Sequence, residues 1–130
     1  MSTAVEPIFG RLRSILTRQA AGWSVTEDSS QRYCLDGRVG PASLKAWRGK
    51  MRRPTLPVAW VQRGKGYVSF HLMGASVDPT VFKNISKGLR ARMQGKTCFN
   101  FKQIDEPLFQ ELEQLTDCSC QAFKRAGFVE

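Results

Sequence analysis

The stretch from Gly64 to Phe101 constrains this chain more than any other. Gly64-Lys65-Gly66 is a turn signal, and the residues after it alternate with a period of two. Val68, Phe70 and Leu72 fall on one side of such a strand, with Tyr67, Ser69, His71 and Met73 on the other. Val58 to Gln62 supplies the incoming arm, so the segment reads as a β-hairpin. The apolar side is suited to lie under helices. The other side should then form the open face of an antiparallel sheet.

Asp78-Pro79 has the chemistry of a helix start, a capping carboxylate followed by a proline. Phe82, Ile85, Leu89 and Met93 recur at helical spacing, which puts Lys83, Lys87 and Arg90 on the opposite face. Gly95-Lys96 ends that helix, and Thr97 to Phe101 reads as a strand burying Phe99 and Phe101. Asp105-Glu106-Pro107 opens a closing helix with Leu108, Phe109, Leu112, Leu115, Ala122 and Phe123 on one broad face. Glu106, Gln110, Glu113 and Asp117 fall on its other face, and Gly127 marks its exit.

Upstream, Val5 to Ala20 has a helical stripe of Val5, Ile8, Leu12, Ile15 and Leu16, with Pro7 in its first turn and Gly22 beyond its end. Trp23 to Glu27 alternates as a half-buried strand, Ser29-Ser30 turns, and Arg32 to Leu35 returns antiparallel. The segment 37–57 reads as a long basic loop, punctuated by Gly37, Gly40, Pro41, Gly49, Pro54 and Pro57. At 130 residues and 42% hydrophobic, the chain suits one domain with its own core. The expected fold is α+β, a mainly antiparallel sheet with helices packed on one face, over residues 1–130.

Charge is unevenly spread. Lys and Arg number 20 against 11 Asp and Glu, yet residues 105–130 hold six acids and only two bases. A basic body beside an acidic helix implies either internal pairing or attraction to anions. No stretch approaches the roughly 20 apolar residues that span a bilayer, so no membrane partner is expected. Four cysteines without a secretory signal point to a reduced, cytoplasmic protein.

Gly64-Lys65-Gly66-Tyr67-Val68-Ser69-Phe70-His71-Leu72-Met73 and Gly95-Lys96-Thr97-Cys98-Phe99-Asn100-Phe101 together resemble the YdhG-like domain family. Leu108 to Leu115 adds to the likeness, which is strongest over residues 56–128. The resemblance implies a small α/β sandwich of frataxin-like appearance. Some members of that family are described as frataxin-like iron chaperones. Iron enters only through this resemblance, and its candidate ligands here are Glu106, Glu113 and Asp117, which share a helix face.

The residues suggest two surfaces. Tyr67, Ser69, His71, Cys98 and Asn100 would form a polar and aromatic floor on the open sheet face, a candidate site for a small ligand or a protein. Arg38, Lys45, Arg48, Lys50, Arg52 and Arg53, with Trp47 among them, have the cations and stacking ring that non-specific nucleic-acid binding uses. Zinc of the structural type is disfavoured, because Cys118 and Cys120 diverge by about 200° on a helix. Gly95-Lys96-Thr97 follows a helix and precedes a strand, the wrong orientation for a phosphate loop. No nucleophile–base or paired-carboxylate spacing accompanies His71, so the chain reads as a binding or chaperone-like domain without a catalytic motif, an enzyme centred on His71 being the remaining alternative.

Overall fold

The computed structural model describes residues 5–38, 55–73, 79–95 and 97–125. Helix α1 (Val5–Gln19) precedes strands β1 (Ser24–Asp28), β2 (Arg32–Arg38), β3 (Thr55–Arg63) and β4 (Val68–Leu72). A 3-10 turn (Pro79–Phe82), helix α2 (Lys87–Arg90), β5 (Met93–Gln94), β6 (Cys98–Phe101) and α3 (Glu106–Arg125) follow. The strands form one six-stranded sheet in the order β1-β2-β3-β4-β6-β5. Every neighbouring pair is antiparallel. This is the α+β arrangement expected from the sequence, with helices packed against one face of the sheet.

The alternation in β4 sorts its side chains as anticipated. Val68, Phe70 and Leu72 are fully buried, while Ser69 and His71 are half-buried on the other side. The register Val61↔Phe70 and Phe70↔Phe99 carries that inner face across three strands. Ile8, Leu12, Ile15 and Leu16 of α1 and Phe109, Leu112 and Phe123 of α3 cover it. Each such side chain contributes about 1.5–3 kcal/mol by leaving water. Edge-to-face contacts fix the layers further: Phe101 meets Phe109 at 5.0 Å, and Phe82 meets Phe99 at 5.5 Å.

Three expectations need correction. The segment 37–57 is not loop throughout, because β2 runs to Arg38 and β3 begins at Thr55. Asp36, Gly37 and Arg38 pair with Pro57, Leu56 and Thr55 beyond a register shift. Val58 is the extra residue there, so two consecutive β3 residues, Val58 and Ala59, are both buried, and Pro57 is tolerated beside the bulge. Residues 39–54 lie outside the described residues, as do Asp78 and Gly127.

Second, there is no continuous helix from Pro79 to Gln94. The chain forms the 3-10 turn, breaks, restarts as α2 and ends in β5. Ser86 makes the restart, its hydroxyl accepting from the Leu89 amide. Glu111 of α3 holds Ser86 in turn, accepting from its amide at 2.7 Å and its hydroxyl at 2.6 Å. The apolar spacing survives the break: Phe82 and Leu89 are buried, and Ile85 and Met93 pack against the core. Lys83, Lys87 and Arg90 are exposed.

Third, β1 is an edge strand that is largely exposed rather than half-buried. Smaller departures accompany these. Leu108 is only half-buried, and Met73 lies past β4 and packs against the core instead of joining the open face.

Candidate functional site on the open sheet face

Register decides which side chains meet on the face away from the helices. One cross-strand row runs Cys34, Trp60, His71, Cys98, Gln94 over β2, β3, β4, β6 and β5. The next row runs Arg32, Gln62, Ser69, Asn100. The Asn100 amide donates to the Arg92 carbonyl at 2.8 Å, which continues the β5–β6 register by one pair. Arg92 therefore stands opposite Asn100 and ends this row.

Ser69, His71, Cys98 and Asn100 are thus brought together as the sequence suggests. Tyr67 is not part of the strand: β4 starts at Val68, and Tyr67 sits in the turn with its ring across Gly64. Its carbonyl accepts from the Gly64 amide at 2.8 Å, closing the hairpin. A Cβ at Gly64 would stand 2.4 Å from that ring, which explains the glycine.

Sequence reasoning missed Trp60 and Arg32. Trp60 stacks on His71 with centroids 4.3 Å apart and planes 11° from parallel. Arg32 lies over the Trp60 ring at 5.4 Å and pairs with Glu27 of β1 at 2.9 Å. The signal lay in the hairpin: once Arg63 opposes Val68, Trp60 must oppose His71. Nothing in the sequence alone positions Arg32 beside them.

The electrostatics of this cluster follow from burial. Desolvation, helped by the nearby Arg32 charge, lowers the His71 pKa from 6.5 to about 4. Burial also raises the Cys98 thiol. Cys98 Sγ lies 3.6 Å from His71 Nε2 and 3.5 Å from the Asn100 Oδ1 acceptor. Both members of the pair are therefore neutral at neutral pH. A catalytic thiolate–imidazolium pair requires the opposite shifts, so this geometry does not provide an activated nucleophile.

Farther along the face, Asp36 is buried. Its Oδ1 accepts from Thr26 at 3.0 Å and from Cys34 Sγ at 3.2 Å. Thr26 is the bulge residue of β1, and the shift aims it at Asp36. Burial first of all pushes the Cys34 thiol up to about 11. This cluster is structural in character.

The acidic face of α3 is engaged by α1. Arg11 Nε donates to Glu106 at 3.1 Å, Arg18 to Glu113 at 2.6 Å, and Gln19 to Asp117 at 3.4 Å. Among the described residues no three His, Cys, Asp or Glu side chains converge. Glu106, Glu113 and Asp117 consequently do not fit a resident iron ion: each already serves a partner from α1. Cys34, Cys98, Cys118 and Cys120 are all free thiols. On α3, Cys118 is exposed and Cys120 buried, the divergence expected from their spacing.

Of the nucleic-acid candidates, Arg38 ends β2, while Lys45, Trp47, Arg48, Lys50, Arg52 and Arg53 lie outside the described residues. No helix among the described residues is long and apolar enough to cross a membrane. Comparisons of the chain with protein-family models, curated proteins and solved structures found no significant match.

Proposed function

We propose that this chain is a small binding domain that holds an anionic ligand on the open face of its sheet. The observation that carries this reading is the row Arg32–Gln62–Ser69–Asn100–Arg92. It places two arginines at backbone positions about 19 Å apart, four strand spacings, with neutral hydrogen-bonding side chains between them. Arg32 is oriented by Glu27 and Trp60, whereas Arg92 has no carboxylate partner among the described residues. On the helix side the acids Glu106 and Glu113 are matched to Arg11 and Arg18.

The proposal retains the YdhG-like resemblance as its fold-level parallel, resting on the two glycine–lysine segments, and places the protein in the reducing cytoplasm. Four free thiols support that location. Titration of labelled protein with tripolyphosphate at low salt tests the site. Amide shifts centred on Ser69, Arg92 and Asn100, abolished by Arg92→Glu, are the expected result. Shifts confined to other surfaces, or none, would reject it.

A nucleic-acid ligand is the second reading. It is favoured by the exposed Lys83, Lys87 and Arg90, which have no ion-pair partner among the described residues. Binding of a labelled single-stranded oligonucleotide should then weaken steeply with salt, as counterion release demands. Lack of oligonucleotide binding at low salt, with tripolyphosphate still bound, would remove this second reading and leave the first.

A further inference from the structure

We infer that Cys98 and His71, with Asn100 beside them, form a binding site for a soft monovalent metal cation, of which Cu(I) and Ag(I) are the representative ions. The inference does not depend on the anionic ligand proposed above: its two strong donors lie on the neighbouring row of the same face, and only Asn100 is shared.

Geometry comes first. Cys98 Sγ and His71 Nε2 are 3.6 Å apart, and both side chains are half-buried and reachable from the open face. Taking the bonds of zinc to thiolate and imidazole as a guide, about 2.3 Å and about 2.0 Å, one ion would bridge the pair at roughly 115°, and the near-linear coordination of a two-coordinate soft ion asks the pair to open by about 0.7 Å. Only small side-chain adjustments are needed. Asn100 Oδ1, 3.5 Å from the sulfur, offers a weak third donor.

Donor chemistry then selects the ion. Thiolate and imidazole together favour soft cations, while hard ions require carboxylate or carbonyl oxygen. Glu27, which reaches the cluster through Arg32, is committed to that guanidinium at 2.9 Å. Two strong donors fall short of the four that structural zinc takes, but they suit ions of low coordination number. Charge points the same way. On binding, the Cys98 S–H bond breaks, its proton passes to water, and the sulfur lone pair forms the metal bond. A monovalent ion on that thiolate is neutral overall, whereas a divalent ion would leave a positive charge in a partly desolvated site near Arg32.

The test uses the full chain carrying Cys118→Ser, which removes the exposed competing thiol; Cys34 and Cys120 are buried. Silver nitrate is titrated in a chloride-free, phosphate-free buffer while the ring nitrogens of His71 are followed by NMR. His71 is the only histidine, so its assignment is unambiguous. One equivalent of Ag(I) should move the Nε2 resonance. Cys98→Ser and His71→Gln should each weaken binding by about a hundredfold or more, with the amide spectrum confirming the fold. Should Cys98→Ser fail to fold, His71→Gln decides alone. Silver that leaves Nε2 unmoved, or binds His71→Gln as tightly, would mean a simple thiol adduct and overturn the site. Zn(II) binding tighter than Ag(I) at neutral pH would overturn the monovalent assignment. Arg92→Glu should retain silver binding, which separates this result from the fate of the anion site.

Discussion

Acidification offers a direct probe of the Trp60–His71–Cys98 cluster. His71 is held near pKa 4 by burial and then by the charge of Arg32, against 6.5 in an unfolded chain. Between those values the unfolded chain binds a proton that the folded one refuses. Stability must therefore fall as the pH drops through 6.5 and level off below about 4. For these two pKa values the loss between pH 7.5 and pH 5 is about 2 kcal/mol. His71 is only half-buried, so solvent screening reduces this to roughly 1 kcal/mol. That corresponds to roughly 3–5 °C in Tm for a domain of this size. Urea unfolding of the wild type and of His71→Gln at both pH values isolates the effect, because carboxylate contributions cancel in the comparison. The wild type should lose about 1 kcal/mol more than the variant on acidification. In parallel, the histidine Hε1 resonance should titrate with a midpoint well below 6.5. A midpoint at or above 6.5, or a wild type that gains on the variant in acid, would refute the reasoning. It would mean that the imidazolium is favoured in the stack with Trp60.

Other residues give sharper structural outcomes. Phe123→Ala removes a fully buried ring that meets Trp23 edge-on at 6.5 Å, and chemical denaturation should show a loss of about 3–5 kcal/mol. Glu111→Ala strips Ser86 of its carboxylate partner, so about 1–2 kcal/mol should be lost, with amide-exchange protection falling first in α2. A double-mutant cycle on Arg18 and Glu113 should yield a coupling of only about 0.5 kcal/mol, because Arg18 is largely exposed despite its 2.6 Å contact. Gly64→Ala forces the Tyr67 ring aside; the tyrosine emission should change while the amide spectrum of β3 and β4 is otherwise preserved.

The hairpin and the closing helix were legible from residue order because their signals are local. Alternation in Tyr67–Met73 needs no distant partner to sort Val68, Phe70 and Leu72 from Ser69 and His71. The apolar stripe of α3 likewise reports its buried face, with Leu108 alone remaining only half-buried. The segment from Pro79 to Gln94 shows the weakness of the same argument. Phe82, Ile85, Leu89 and Met93 satisfy the core whether the backbone is one helix or a 3-10 turn, a short helix and a strand. The restart at Ser86 is held by Glu111, which comes from another element.

Residue order by itself therefore established the α+β class, the inner face of the central hairpin and four members of the open-face cluster. The tertiary structure alone decided that Trp60 and Arg32 complete that cluster, that Arg92 ends the polar row, and that Arg11 and Arg18 occupy the acids of α3. The reason is range. Periodicity is written into consecutive residues, whereas strand register and ion pairing join positions as far apart as Arg18 and Glu113, 95 residues along the chain.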